Sequence, residues 1–140
     1  MSVKIHIVQG AVGATAERSD GRAGDSFSLP RKIQLEIGAE LVFDGIVRRM
    51  EGGREVAALE YEMYEPMASR QLGALGEDVT RKHGLIGLRC VHSRGRVGAG
   101  ECSMRVTIWS AHRAPALAGM GEFIDRLKLD VPIWKKVVWL

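Results

Sequence analysis

Residues 3–8 alternate apolar and polar positions and are rich in β-branched side chains, a pattern that predicts a strand. Residues 10–28 lose that periodicity and are rich in Gly, Ser, Asp and Arg, so a long loop is expected there. Apolar alternation returns over residues 32–47 and breaks at Gly38, predicting one bent strand or two short ones. Met50-Glu51-Gly52-Gly53-Arg54 reads as a hairpin turn, because paired glycines supply the positive φ that such turns require. Residues 55–64 then form the returning strand.

Pro66 is well placed in the first turn of a helix extending to His83, with Gly84 as its stop. Met67, Leu72, Leu75 and Val79 supply its apolar stripe. Residues 85–92 and 102–109 alternate as strands, joined through the glycine-rich stretch Gly95-Arg96-Val97-Gly98-Ala99-Gly100. A last helix over residues 114–129 is ended by Pro132, and residues 133–140 form a short extended tail. Strands and helices mix without a regular βαβ repeat, which points to an α+β fold in one domain spanning residues 1–140.

The last helix carries an anomaly. Leu117, Met120, Ile124 and Leu127 define its expected buried stripe. At about 100° per residue, Lys128 falls within roughly 20° of Leu117. A lysine there either snorkels past the helix end or does chemistry. Lys135 follows seven residues later, across the proline turn. Two ammonium groups brought close depress each other's pKa, and a lysine neutral near pH 7 is a usable nucleophile or general base. The alternative is a helix-end lysine that complements the helix dipole, with Lys135 and Lys136 on a solvated strand.

Composition narrows the class without choosing the function. With 46% hydrophobic and 26% charged residues the chain is an ordinary globular one. A net charge of +3 suits an anionic small molecule or an acidic partner, and alone it does not argue for nucleic acid. Cys90 and Cys102 show no metal-finger spacing and read as buried, reduced thiols. No run resembles a signal peptide or approaches membrane-spanning length, so a cytoplasmic protein without a membrane partner is expected. His6, His83 and His92 lack metal-ligand spacing, and no metal site is expected.

Two further groups of residues could bind an anion. Ser110-Ala111-His112-Arg113 joins a strand to a helix start, where free N–H groups and the helix dipole favour phosphate or carboxylate. It reads equally as a helix cap followed by a surface arginine. Gly45-Ile46-Val47-Arg48-Arg49 closes a strand just before the hairpin. Its arginines are either a solvated edge or half of an anion site completed by His112 and Arg113.

Taken in order, several blocks resemble the catalytic (large) subunits of molybdopterin synthase, the MoaE family. They are Gly45-Ile46-Val47-Arg48; Leu59-Glu60-Tyr61-Glu62-Met63-Tyr64 followed by Met67-Ala68; His92 with Gly95; Ser110-Ala111-His112-Arg113; and Leu127-Lys128 followed by Val131-Pro132-Ile133-Trp134-Lys135-Lys136. The resemblance implies an α/β hammerhead-like fold with an additional antiparallel β-sheet, acting as a homodimer. It also implies a small ubiquitin-like sulfur-carrier subunit as partner, giving a heterotetramer. The implied reaction moves sulfur from the carrier's C-terminal thiocarboxylate to cyclic pyranopterin monophosphate (precursor Z), building the dithiolene of molybdopterin without a further cofactor. By the same resemblance, Lys128 and Lys135 are the reaction-centre lysines. Ile46, Val47, Arg48, His112, Arg113 and Lys136 would bind the substrate with them. Val137 departs from the glutamate usual after the Trp-Lys-Lys block. A non-catalytic homologue binding the pterin phosphate or the carrier alone is the alternative expectation.

Overall fold

A computed structural model of the chain describes residues 2–13 and 29–140, so most of the loop expected over residues 10–28 lies outside the described residues. The described elements are β1 (Ser2–Gln9), α1 (Arg31–Gln34), β2 (Ala39–Ile46), β3 (Met50–Glu51), β4 (Arg54–Met63), α2 (Met67–His83), β5 (Gly87–Gly98), β6 (Cys102–Ser110), α3 (Arg113–Asp130) and β7 (Ile133–Trp139). This is the α+β architecture expected, with one difference near the start. Residues 31–34 form a single helical turn where alternation suggested strand. Leu35, part of that alternation, is 70% exposed, so the period reports no buried face.

Two sheet halves share one strand. The first part of β5 pairs in parallel with β1 and antiparallel with β6, which in turn carries β2. Its last part, from Gly95 to Gly98, pairs instead with β4, and β4 carries β7 on its other side. The glycine-rich stretch is therefore largely strand, not connection. Gly95 has φ +85°, a left-handed value that side chains rarely adopt, and a Cβ there would run into the Gln9 amide. The terminal tail is likewise a full strand, paired with β4 from Val56 to Met63.

Helices α2 and α3 pack on one face of the first half, burying Leu72, Leu75, Val79, Leu88, Cys90, Ile108 and Phe123 in the main core. In α2 the buried set is Ala68, Leu72, Leu75, Gly76, Val79 and Thr80, and Met67, expected inside, is 44% exposed. Gly84 ends this helix in the left-handed conformation. A second, smaller cluster of Val47, Val56, Leu59 and Val97, backed by Ala11, Tyr61 and Val137, lies under the second sheet half. The cleft described next opens beside that cluster.

Candidate active site

The expected stripe of α3 holds at Met120 and Leu127, with Ile124 packed against the core, but fails at Leu117. Its buried residues are Ala116, Gly119, Met120, Phe123 and Leu127, and Leu117 is 60% exposed. Small residues direct the helix here, because a Cβ on Gly119 would already touch Leu85 at 3.0 Å. Lys128 is consequently exposed and does not point into an apolar stripe. It nonetheless lines a cleft of about 550 Å³, because the last turn of α3 ends at its rim.

Of the elements that line this cleft, three carry the residues expected from sequence. From β2 and the turn after it come Asp44, Ile46, Val47 and Arg48. Leu127 and Lys128 come from α3, while Ile133, Trp134 and Lys135 come from the start of β7. Val131 ends α3 in an extended conformation, its N–H donating to the Leu127 carbonyl, and Pro132 leads the chain back antiparallel to β4. That reversal brings Lys128 and Lys135 to one cleft. Lys136, one residue further along β7, does not line it. Val137 returns to the cleft side of β7, opposite Leu59, and packs on the small cluster.

The Arg48 turn is held by its backbone and by one buried ion pair. The register of β2 on β6 shifts at Gly45/Ile46, and Val47 then donates to Glu101 O (3.0 Å) and accepts from Gly100 N (2.8 Å). Just before the bulge, Arg105 grips both carboxylate oxygens of Asp44, Nε to Oδ1 at 2.6 Å and Nη2 to Oδ2 at 2.9 Å. Arg48 itself is exposed and donates to Glu51 Oε2 at 3.3 Å, so one carboxylate already shares the cation.

His112 and Arg113 do not join this cleft within the chain. Ser110 pairs with Ala39 at one end of the β2–β6 ladder, whereas Ile46 pairs with Cys102 at the other. Seven strand steps at ~3.4 Å separate the two ends by about 24 Å. The convergence with Arg48 that the sequence left open does not occur in a single chain.

Several lining residues were not singled out as site residues from sequence: Asp44, Glu51, Tyr61, His92, Ser103 and Met104. His92 is buried, its Nδ1 lies 2.8 Å from the Ser93 carbonyl, and Tyr61 packs edge-on against its ring. Burial holds its pKa below the ordinary imidazole value, offset in part by that backbone hydrogen bond. Strand alternation along β5 placed His92 on the face of Leu88 and Cys90, but its contact with Tyr61 depends on tertiary packing.

Neither cysteine is a ready thiolate. Burial pushes Cys90 up to about 12, and burial followed by the nearby Asp44 charge also raises Cys102. Among the described residues no group of three or more His, Cys, Asp or Glu side chains could hold a metal ion, and no helix is long and apolar enough to cross a membrane.

A family model described as MoaE protein matches residues 23–130. A rice protein (Oryza sativa subsp. indica) named molybdopterin synthase catalytic subunit is 41% identical over 123 residues, covering 88% of this chain and 64% of its own length. A Bacillus subtilis (strain 168) protein of the same name is 36% identical over 113 residues, covering 80% of this chain and 72% of its own. The X-ray crystal structure of molybdopterin synthase from Staphylococcus aureus aligns with a TM-score of 0.77 at 30% identity, over 98% of this chain and 90% of that one. A protein–protein complex of subunits 1 and 2 of molybdopterin-converting factor from Helicobacter pylori 26695 aligns at 0.71 and 26% identity, over 96% and 88%. The chain spans just under two-thirds of the rice relative's length.

Proposed function

This chain belongs to the MoaE family, and from that premise we propose that it is a sulfurtransferase, the catalytic subunit of a molybdopterin synthase. In this reading it takes sulfur from the C-terminal thiocarboxylate of a small ubiquitin-like carrier and delivers it to cyclic pyranopterin monophosphate, forming the dithiolene of molybdopterin. The observation that carries the reading is the convergence of Arg48, Lys128 and Lys135 on one cleft of about 550 Å³. That volume is ample for a fused heterocycle carrying one phosphate.

The chemistry follows from what these groups supply. Arg48, on a turn fixed by Val47, offers a guanidinium for the phosphate once Glu51 yields it. Lys128 and Lys135 offer N–H donors to oxygen atoms that gain negative charge as the thiocarboxylate sulfur attacks, and either can carry a proton to a departing oxygen. Ile46 and Val47 contribute backbone at the cleft wall, and Lys136, on the alternate face of β7, adds positive charge nearby. No metal or other cofactor takes part in this scheme. The raised thiol pKa values support direct transfer from the carrier over a cysteine relay.

His112 and Arg113 keep their proposed role in substrate binding, but through a homodimer. Lying about 24 Å along the ladder from Arg48, they reach a cleft only if a second copy presents them. A heterotetramer with two carriers follows, and the complex of subunits 1 and 2 in the Helicobacter pylori neighbour supports a small-subunit partner. The free thiols Cys90 and Cys102 suit a cytoplasmic setting. Mixing the chain with thiocarboxylated carrier and precursor Z should yield dithiolene product, and a sizing column should report the tetramer. Absence of product from a correctly assembled tetramer would favour a non-catalytic binding module instead.

A further inference from the structure

One polar atom in the cleft has no role in the scheme above. His92 is only 4% exposed, yet it lines the cleft with Lys128, Lys135 and Arg48. Its Nδ1 faces the Ser93 carbonyl at 2.8 Å, and a carbonyl can only accept, so Nδ1 carries the proton. Nε2 is then an unprotonated acceptor. It has no partner among the described residues. Tyr61 fixes the ring plane from the side, centroid to centroid 5.4 Å at 80°.

On a residue that lines the cleft, an acceptor left open in this way is available to a ligand that brings a donor. The charged groups sharing the cleft are the donors Arg48, Lys128 and Lys135 and the carboxylates Asp44 and Glu51, with Asp44 held by Arg105. The Ser103 hydroxyl donates to Gly45 O and is spoken for. Nε2 therefore offers a neutral acceptor for a neutral donor, and burial keeps the ring uncharged at pH 7.

Resting on the sulfur-transfer reading, we propose that His92 contacts the substrate: its Nε2 accepts a hydrogen bond from an N–H or O–H group of the pterin and so orients the ring against Lys128 and Lys135. The Ser93 carbonyl and Tyr61 act as positioning groups, one setting the tautomer and the other the ring plane. A substrate analogue whose matching donor is replaced by a methyl or an oxygen would leave Nε2 unsatisfied and be rejected.

Two substitutions separate this role from a structural one. His92→Asn keeps a donor near Ser93 O but removes the acceptor at the ε position, whereas His92→Gln restores an acceptor there. Calorimetric titration with cyclic pyranopterin monophosphate should show wild-type binding, a loss of roughly tenfold or more in His92→Asn, and recovery to within about threefold in His92→Gln. Thermal melts check that both variants fold. If either fails, nitrogen-15 spectra of the wild-type imidazole supply the test, since added pterin should shift the His92 Nε2 resonance. Wild-type binding matched by His92→Asn, equal losses in both variants, or an Nε2 signal blind to the pterin would overturn the inference alone. A wild-type protein that does not bind the pterin at all would overturn the sulfur-transfer reading and this inference with it.

Discussion

Arg105 and Asp44 face each other across the β2–β6 ladder and form a two-pronged ion pair, 2.6 and 2.9 Å, directly before the bulge that turns the chain toward Arg48. The Arg105 side chain is only 4% exposed, so its charge depends on protein partners. Asp44→Ala should destabilise the fold by about 2–3 kcal/mol, less than the ~3–5 of an isolated buried pair because Asp44 is partly solvated and Gly13 O still accepts from Arg105. Urea unfolding measures this. A loss under about 0.5 kcal/mol would mean that the pair does not anchor the turn.

Glu51 competes for the cation that the proposed phosphate needs. Glu51→Gln should tighten pterin binding by about two- to fivefold, the scale of an exposed ion pair, and the gain should shrink in high salt. Substrate titrations at two ionic strengths read it. Weaker binding in the variant would indicate that Glu51 helps to hold the substrate.

Acid should loosen the helix pair. Hydrogen bonds from Lys82 and then His83 hold Glu122 down to about 2, with Arg126 adding a third and Asp78 sharing that arginine. A carboxylate whose pKa is lower in the folded state contributes stability that is complete above its unfolded value of 4.5 and lost as pH falls toward 2. Glu122→Gln should therefore lower the melting temperature at pH 7, and the gap to wild type should close on acidification below about pH 4. A gap independent of pH would assign the effect to packing.

How far these features could be read from sequence depends on what fixes each of them. The hairpin at Gly52-Gly53, the Gly84 stop and the Pro132 reversal were legible because backbone chemistry is local. Residues 32–37 were misread, since Ile33, Leu35 and Ile37 alternate without sharing a buried face. The α3 stripe was right at Met120, Ile124 and Leu127 but wrong at Leu117, because the small Ala116 and Gly119 make the close approach to the core there. His92 was visible as a residue but not as a cleft group, for Tyr61, which packs on its ring, and Lys135, which lines the same cleft, come from strands distant in sequence. The separation of His112 from Arg48 is a property of an antiparallel ladder, whose ends alone reveal which residues cannot meet.

The start of β2 is also tightly fitted. Gly38 donates to Ser110 O at 3.0 Å, and a Cβ on it would collide with the Ala111 carbonyl oxygen, which is backbone and cannot swing away. Gly38→Ala should cost about 1–3 kcal/mol and displace the His112–Arg113 junction. Its melting curve and pterin affinity should fall together. A fall in stability with affinity unchanged would detach that junction from substrate binding.

The dimeric site predicts complementation. Arg113→Ala and Lys128→Ala should each be inactive alone, while refolding them together forms mixed dimers with one intact cleft. About a quarter of wild-type activity should return, half the dimers being mixed with one working site of two. No recovery from demonstrably mixed dimers would place His112 and Arg113 outside the site.

The most direct measurement concerns Lys128. It is exposed at the rim of the cleft, so Lys128→Ala should leave the melting temperature within a degree or two of wild type, a surface change of about 0.5 kcal/mol or less. Incubated with thiocarboxylated carrier and precursor Z, the variant should still bind the carrier yet form no molybdopterin. Turnover at the wild-type rate in that assay would contradict the assignment of sulfur transfer to this cleft.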